Sequence, residues 1–374
     1  MPALLAIRHP KRFPAAGLLV ALLLALLVCA PATGAAAAGK NKRHPHPRKV
    51  KPKPVYWGAW IGDQLTGEAA PWDMNAAYKF EEILGKGMSL LQFSSPFQYC
   101  DGSTCYLYEF PEEAMQDIRN HGSIPFFSWG AEVAPRVNEV QPDYQLADLI
   151  EGRHDAYIRQ FAGEVRAWGH PFFLRFNWEM NGDWFPWSEG ANGNVPGQYV
   201  AAWRHVRDVF NSVGATNATW VWCPFADAKG RLADIRSLYP GDEYVDWACM
   251  DGYNWGKSPV NAQRWKSFGQ LFDKTYEQLT KKVARRKPIM LAEFASSPHG
   301  GHKALWIKNM FEKLPRKYPR IRGLIWFDSF DRGVNWPLET SATATRAFSR
   351  GIGKRRYLDN RFSELAESPI RPLP

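Results

Sequence analysis

From Val55 onward, short apolar runs rich in aromatic and branched residues alternate with longer stretches of helical periodicity. Eight such runs stand out: VYWGAWIG (55–62), SLLQFSSPF (89–97), IPFFSWG (124–130), FFLRFNWEM (172–180), TWVWCP (219–224), WACMDGYN (247–254), PIMLAEFA (288–295) and GLIWFDSF (323–330). They recur at roughly 30 to 50 residues, the repeat of a strand, a crossover helix and two loops. Between them, AAYKFEEILGKG (76–87), YVAAWRHVRDVFNSVG (199–214) and QLFDKTYEQLTKKVARR (270–286) carry one apolar face each, and Gly or Pro punctuates most of the joins. Eight such units predict an α/β chain folded as a single (β/α)8 TIM barrel over 55–374, with its functional groups where the strands end.

Composition adds what lies before the barrel. Arg8, Lys11 and Arg12 precede an apolar stretch from Ala15 to Val28, and small residues follow as far as Ala35 to Ala38. This reads as a signal peptide over 1–38, hence a secreted protein, with a membrane tether by an uncleaved signal as the alternative. The apolar stretch is short for a bilayer span, so no span is expected once the signal is removed. Cys29 follows Val28 rather than a small residue, which argues against a lipoprotein.

The formal charge is +10, from 47 bases and 37 acids. Residues 1–54 contain no acid, while the leader holds three bases and Lys40 to Lys53 holds seven. Without those ten, bases and acids balance at 37 each, so the barrel is formally neutral. The stretch 39–54, containing KNKRHPHPRKVKPKP, has charge and Pro but few apolar residues, as a solvated linker does. Its charge suits contact with an anionic cell envelope. The folded part shows neither a basic stripe with interleaved aromatics nor a Gly-rich phosphate loop, so no nucleic-acid partner is expected.

Four of the five cysteines lie beyond the leader, an even number that suits an oxidising compartment. Cys100 and Cys105 flank the turn-like DGST and are the favoured pair. Cys223 and Cys249 lie in consecutive strands, where a disulfide and two buried thiols are both compatible with the sequence. His154 reads as part of a helix start, and His299 and His302 as loop residues. No Cys or His spacing has the form of a metal site, and no cofactor is called for.

Candidate chemistry rests on two glutamates. Glu179 lies in PFFLRFNWEMNGDWFPW (171–187) and Glu293 in KPIMLAEFASSPHGG (287–301), each at the end of an apolar run that breaks into a loop. These are the fourth and seventh runs, which face each other across a barrel mouth, so carboxylates 114 residues apart can converge on one bond. Paired carboxylates are the machinery of glycoside hydrolysis: at about 5 to 5.5 Å one attacks and the other protonates the leaving oxygen, and a wider gap implies inversion. Trp184 and Trp187 stand among Asn, Gly, Asp, Pro and Ser, where a sugar platform is a better reason for large rings than packing. Trp255 and Trp336 are further candidates. Arg175, flanked by apolar residues, reads equally as a buried ion-pair partner or a substrate contact, and Asp251 as a loop orienter or a substrate ligand.

Taken together, EMNGDWFPW after the fourth run, DGYN after the sixth and MLAEF in the seventh resemble glycoside hydrolase family 26, in the family's order over roughly 55 to 350. The resemblance implies a retaining glycosidase with Glu179 as acid/base and Glu293 as nucleophile. It further implies Arg175 beneath the active site, Tyr253 on the nucleophile, and Trp184 and Trp326 lining sugar subsites. Two departures stand out. The family usually has His directly before the acid/base, where this chain has Trp178 preceded by Asn177, and Trp129, Gly130 and Ala131 occupy a loop in which many members carry another His. Asn177, Trp178 and Trp187 join Arg175, Trp184, Tyr253 and Trp326 as candidate substrate contacts. The implied activity is endo-β-1,4-mannanase-like, with lichenase-type β-glucanase or β-xylanase activity as alternatives within the family. A barrel that binds carbohydrate without turnover is the alternative from outside it.

Overall fold

A computed structural model describes residues 53–374 apart from Ala262. The expected signal peptide, and all of the expected linker except Lys53 and Pro54, lie outside the described residues.

Eight parallel strands close into a barrel: β1 (Tyr56–Ile61), β2 (Leu90–Asp101), β4 (Ile124–Ala134), β5 (Phe172–Phe176), β6 (Ala218–Trp222), β7 (Trp247–Asn254), β8 (Ile289–Ser296) and β9 (Ile321–Asp328). Closure comes from β1, which pairs with both β9 and β2. At that seam a Cβ on Gly58 would come within 1.9 Å of the Leu90 carbonyl oxygen, so only glycine lets the two strands approach. Each of the eight apolar runs coincides with a barrel strand. Two smaller pieces carried too little apolar periodicity to be foreseen: β3 (Thr104–Leu107), which turns β2 back on itself, and the hairpin of β10 (Phe330–Asp331) and β11 (Val334–Asn335).

The helices are α1 (Met74–Leu84), α2 (Glu112–His121), α3 (Leu146–Ile150), α4 (Asp155–Trp168), α5 (Gln198–Val213), α6 (Phe268–Lys281), α7 (Lys303–Lys317) and α8 (Ala342–Ile352). Their ends follow local chemistry. Asp73 caps α1 by accepting from the Asn75 N–H, Ser267 and Gln270 form a reciprocal capping box on α6, and Gly214 stops α5 at φ +81°. The periodicity of 270–286 overshoots α6, which ends at Lys281.

Alternation along the strands sorts the core into two layers. Leu90, Ile124, Phe126, Phe173, Val221 and Met290 fill the barrel, and Leu358, Phe362 and Ile370 of the C-terminal segment join the same apolar cluster. The opposite parity, such as Leu91, Phe127 and Leu174, packs against the helices. Towards the C-terminal ends of the strands the inward positions turn polar. Gln92, Ser128, Arg175 and Asp251 are all buried there, on four different strands.

Candidate active site

The fourth run ends sooner than its apolar pattern suggests. β5 stops at Phe176, and Asn177 and Glu179 follow with φ of 40° and 53°, the left-handed region that non-glycine residues rarely enter. Neighbouring strands hold that conformation. The Asn177 N–H donates to the Trp129 carbonyl, Asn177 Oδ1 accepts from the Ala131 N–H at 2.8 Å, and the Glu179 N–H donates to the Cys223 carbonyl at 2.7 Å. Asn181 exchanges two hydrogen bonds with the backbone of Phe225, fastening this loop to the one after β6. Glu179 is thereby a loop residue and not a strand terminus, its carboxyl turned over the barrel mouth.

Glu293 is aimed by a different device. Along β8, Met290 and Ala292 point into the barrel, so strict alternation would turn Glu293 outward. The register with β7 shifts by one residue between the pairs Met250 with Leu291 and Asp251 with Glu293, leaving Ala292 as the extra residue of a bulge. The bulge brings Glu293 back over the mouth, as bulges beside active sites do.

Three donors meet that carboxylate. Arg175 Nη2 donates to Oε2 at 2.6 Å, Gln92 Nε2 donates to the same oxygen at 3.1 Å, and the Tyr253 hydroxyl donates to Oε1. Arg175 is fully buried, with Nη1 on Asp251 Oδ2 at 2.6 Å and Nε on the Ser128 hydroxyl at 2.9 Å. Burial alone would lower the arginine's affinity for its proton. The Asp251 and Glu293 carboxylates more than offset this, and the guanidinium stays charged. Its planar fork ties the two acids into one rigid unit.

Glu179 has the opposite setting. Burial, and then repulsion from the Glu293 charge, push its pKa from 4.5 up to about 8. The Trp184 indole N–H donates to its Oε2 at 2.7 Å and works against that rise. Glu179 is therefore protonated at neutral pH, beside a carboxylate supplied with donors. A desolvated acid beside a carboxylate supplied with donors is the difference in surroundings that a general acid and a nucleophile require.

The other sequence candidates divide. Trp184 is 37% exposed at the mouth, and its ring lies where a Cβ on Gly182 would stand, which gives the Asn181–Gly182 turn a second purpose. Trp178 lies 4.8 Å over the Arg175 guanidinium and closes the site on that side. Asn177 Nδ2 is buried with no hydrogen-bond partner among the described residues. Tyr253, Trp255 and Trp336 form one aromatic group, with Trp336 buried behind the other two.

Two expectations are corrected. Trp187 is not a platform: it is fully buried, stacks on Phe185 at 4.4 Å, and gives its N–H to the Trp178 carbonyl, so it braces the mouth from behind. Trp326 does not line the mouth either. Its parity turns it to the helix layer, against Phe294, Trp306 and Phe348, and the partly exposed ring at the rim is Phe327, one residue on.

Gln92 and Ser128 were missed, although each is a polar residue at an inward position of an otherwise apolar run, which is the available signal. The structure joins Cys100 to Cys105 across the β2–β3 hairpin and Cys223 to Cys249 between β6 and β7. Among the described residues, the one grouping with metal-ligand geometry is Cys223, Cys249 and Asp251. Its sulfurs are joined and its carboxylate is held by Arg175, so it offers a metal no ligand set.

The sequence profile described as Glycosyl hydrolase family 26 matches residues 142–289. Endoglucanase H of Acetivibrio thermocellus is 33% identical over 299 residues, which is 79% of this chain and 30% of that protein. A mannan endo-1,4-beta-mannosidase of Bacillus subtilis strain 168 is 24% identical over 231 residues, 59% of this chain and 58% of the relative. The chain thus spans about a third and somewhat over half of these two proteins. Among solved structures, the catalytic domain of the GH26 endo-beta-1,4-mannanase from Bacillus sp. JAMB-750 superposes with a TM-score of 0.64 at 18% identity, covering 84% of this chain and 91% of that one. A GH26 beta-mannanase from Bacteroides ovatus superposes at 0.57 and 16% identity, over 83% and 91%. At those identities the structures establish the (β/α)8 fold, and with the matched profile the chain is a member of glycosyl hydrolase family 26.

Proposed function

We propose that this chain is a retaining glycoside hydrolase that cleaves a β-linked polysaccharide by double displacement. The observation that carries the reading is the divergence of the two acids: Glu179 holds its proton to about pH 8, while Glu293 receives hydrogen bonds from Arg175, Gln92 and Tyr253. In the first step Glu293 attacks the anomeric carbon as Glu179 protonates the departing oxygen. In the second, Glu179, now ionised, takes a proton from water, which displaces Glu293 from the sugar. Stacking on Trp184, which is exposed at the mouth, would orient the ring.

Mannan is the leading substrate, as the motif resemblance and the several mannosidase relatives suggest. A β-glucan is the second reading, favoured by the longer and higher-identity match to an endoglucanase and by Trp178 standing where the mannanase-like pattern has His. The same proposal includes export, on the strength of the leader, and contact of the basic linker with anionic envelope polymer.

The test is reducing-end release from mannan, glucomannan and mixed-linkage β-glucan by the purified chain and by Glu293→Gln. Release from one of these, abolished in the variant while binding persists, supports the reading. Binding without release from any of them points instead to a carbohydrate-binding barrel.

A further inference from the structure

The face of the barrel opposite the glutamates, where the strands begin, carries a second concavity. It has a volume of about 570 Å³ and lies between the starts of β7, β8 and β9 and the C-terminal segment. Six bases line it, Lys53, Arg286, Lys287, Arg320, Arg322 and Arg371, against the single acid Asp246. Since bases and acids balance over the barrel as a whole, this is a segregation of charge and not an average surface.

Little on the molecule neutralises it. Asp246 is turned to Arg207 at 3.4 Å, and Asp242 lies beside Arg286 at 3.1 Å. Among the described residues, the other five lining bases have no carboxylate within ion-pair distance. The two arginines set deepest spend their N–H groups on backbone carbonyls: Arg322 on Pro54 and Leu373, Arg320 on Thr280, Ala284 and Lys287. Carbonyl dipoles fix these guanidiniums in place without cancelling their charge. Arg356 lies near enough to Arg322 to repel it, and its Nε and Nη1 are buried with no partner among the described residues. Arg356 is outside the lining and adds only to the local positive charge, and uncompensated cations in a concavity are the setting an anion improves. Lys53 is also the last of the seven bases of the acid-free stretch.

We propose that this cavity is a binding site for a flexible phosphodiester-linked polyanion, of the poly(glycerol phosphate) kind, separate from the polysaccharide cleft. A polymer strand fits better than a bilayer. The site is concave, its apolar lining is Pro and buried Trp247 and Ile370, and none of the exposed large apolar side chains of the described residues lies in its lining to anchor in lipid. Held at this face, the enzyme would keep its glutamates directed away from the anchoring polymer.

The experiment is fluorescence anisotropy of the purified chain with labelled poly(glycerol phosphate) over a salt series. Engagement of about four phosphates predicts a log–log slope near −3 at about 0.7 per phosphate. The triple variant Lys53→Gln, Arg286→Gln, Arg371→Gln changes exposed side chains only, and should bind at least tenfold more weakly at about 0.1 M salt with a slope shallower by about 2. Its activity on soluble oligosaccharide should match the parent. A second variant, with the six bases from Lys40 to Lys51 replaced by Gln, should retain the cavity's share of binding. The proposal is overturned if the parent does not bind, if the triple variant binds as the parent does, if all binding disappears with the second variant, or if anionic vesicles or duplex DNA are preferred to the polymer.

Discussion

At the scale of single residues, the site works by giving two chemically identical side chains different surroundings. Glu179 is desolvated and faces a neighbouring charge, so it keeps a proton to about pH 8, and Trp184 limits how far that goes. As the general acid must be protonated for the first step, kcat/KM should fall as pH rises through about 8. Trp184→Phe removes the one donor that stabilises the ionised form, so the pH profile should show this alkaline limb moved upward; an unmoved or lowered limb counts against the assignment. Gln92 acts on the other acid. Gln92→Leu keeps the volume but deletes a hydrogen bond to a charged oxygen, worth about 1.5–3 kcal/mol, so kcat should drop by roughly 10- to 100-fold. KM and the denaturation midpoint should change little, which separates positioning from folding. Gln92 was legible in the sequence as a polar residue at an inward position of SLLQFSSPF, yet nothing there says which carboxylate it serves.

At the scale of elements, both glutamates are aimed by departures from regular structure. β5 gives way to two left-handed residues, and β8 carries a bulge at Ala292. Asn177 ties the first of these down, through its unusual φ and through the Ala131 N–H. Asn177→Ala would strain the backbone and orphan that donor, so chemical denaturation should show a loss of about 2–3 kcal/mol, accompanied by lost activity. A stability equal to the parent's would mean the loop is held otherwise. These departures also mark where sequence reading stopped. Apolar period and turn residues located all eight strands, because each barrel strand is largely apolar on both faces and most end close to Gly, Pro or Asn. They could not reveal a one-residue bulge, and the same parity problem sent Trp326 to the wrong layer, since a strand residue and its neighbour point in opposite directions. Trp187 misled for a related reason: a large ring among polar residues can be buried by its own loop, as Phe185 and Trp178 bury this one.

At the scale of the whole molecule, closure of the barrel through Gly58 and the β1–β2 pairing brings Gln92, Arg175, Tyr253 and Glu293 from four strands to one point. Charge is distributed just as unevenly, with the carboxylates at the mouth and uncompensated bases at the opposite face. The sequence disclosed the acid-free stretch ending at Lys53, but not that Arg286, Arg320, Arg322 and Arg371 converge beside it, because they come from three separate stretches of the chain. Everything assigned to the mouth depends on Glu293 forming a bond to the sugar while Glu179 shuttles the proton. The most direct measurement is to inactivate the protein with 2-deoxy-2-fluoro-β-mannosyl and β-glucosyl fluorides, digest it, and locate the added sugar by mass spectrometry. Attachment to Glu293 by at least one reagent is the predicted result. Attachment to Glu179 or another carboxylate, or no attachment alongside hydrolysis with inverted anomeric configuration, would contradict it.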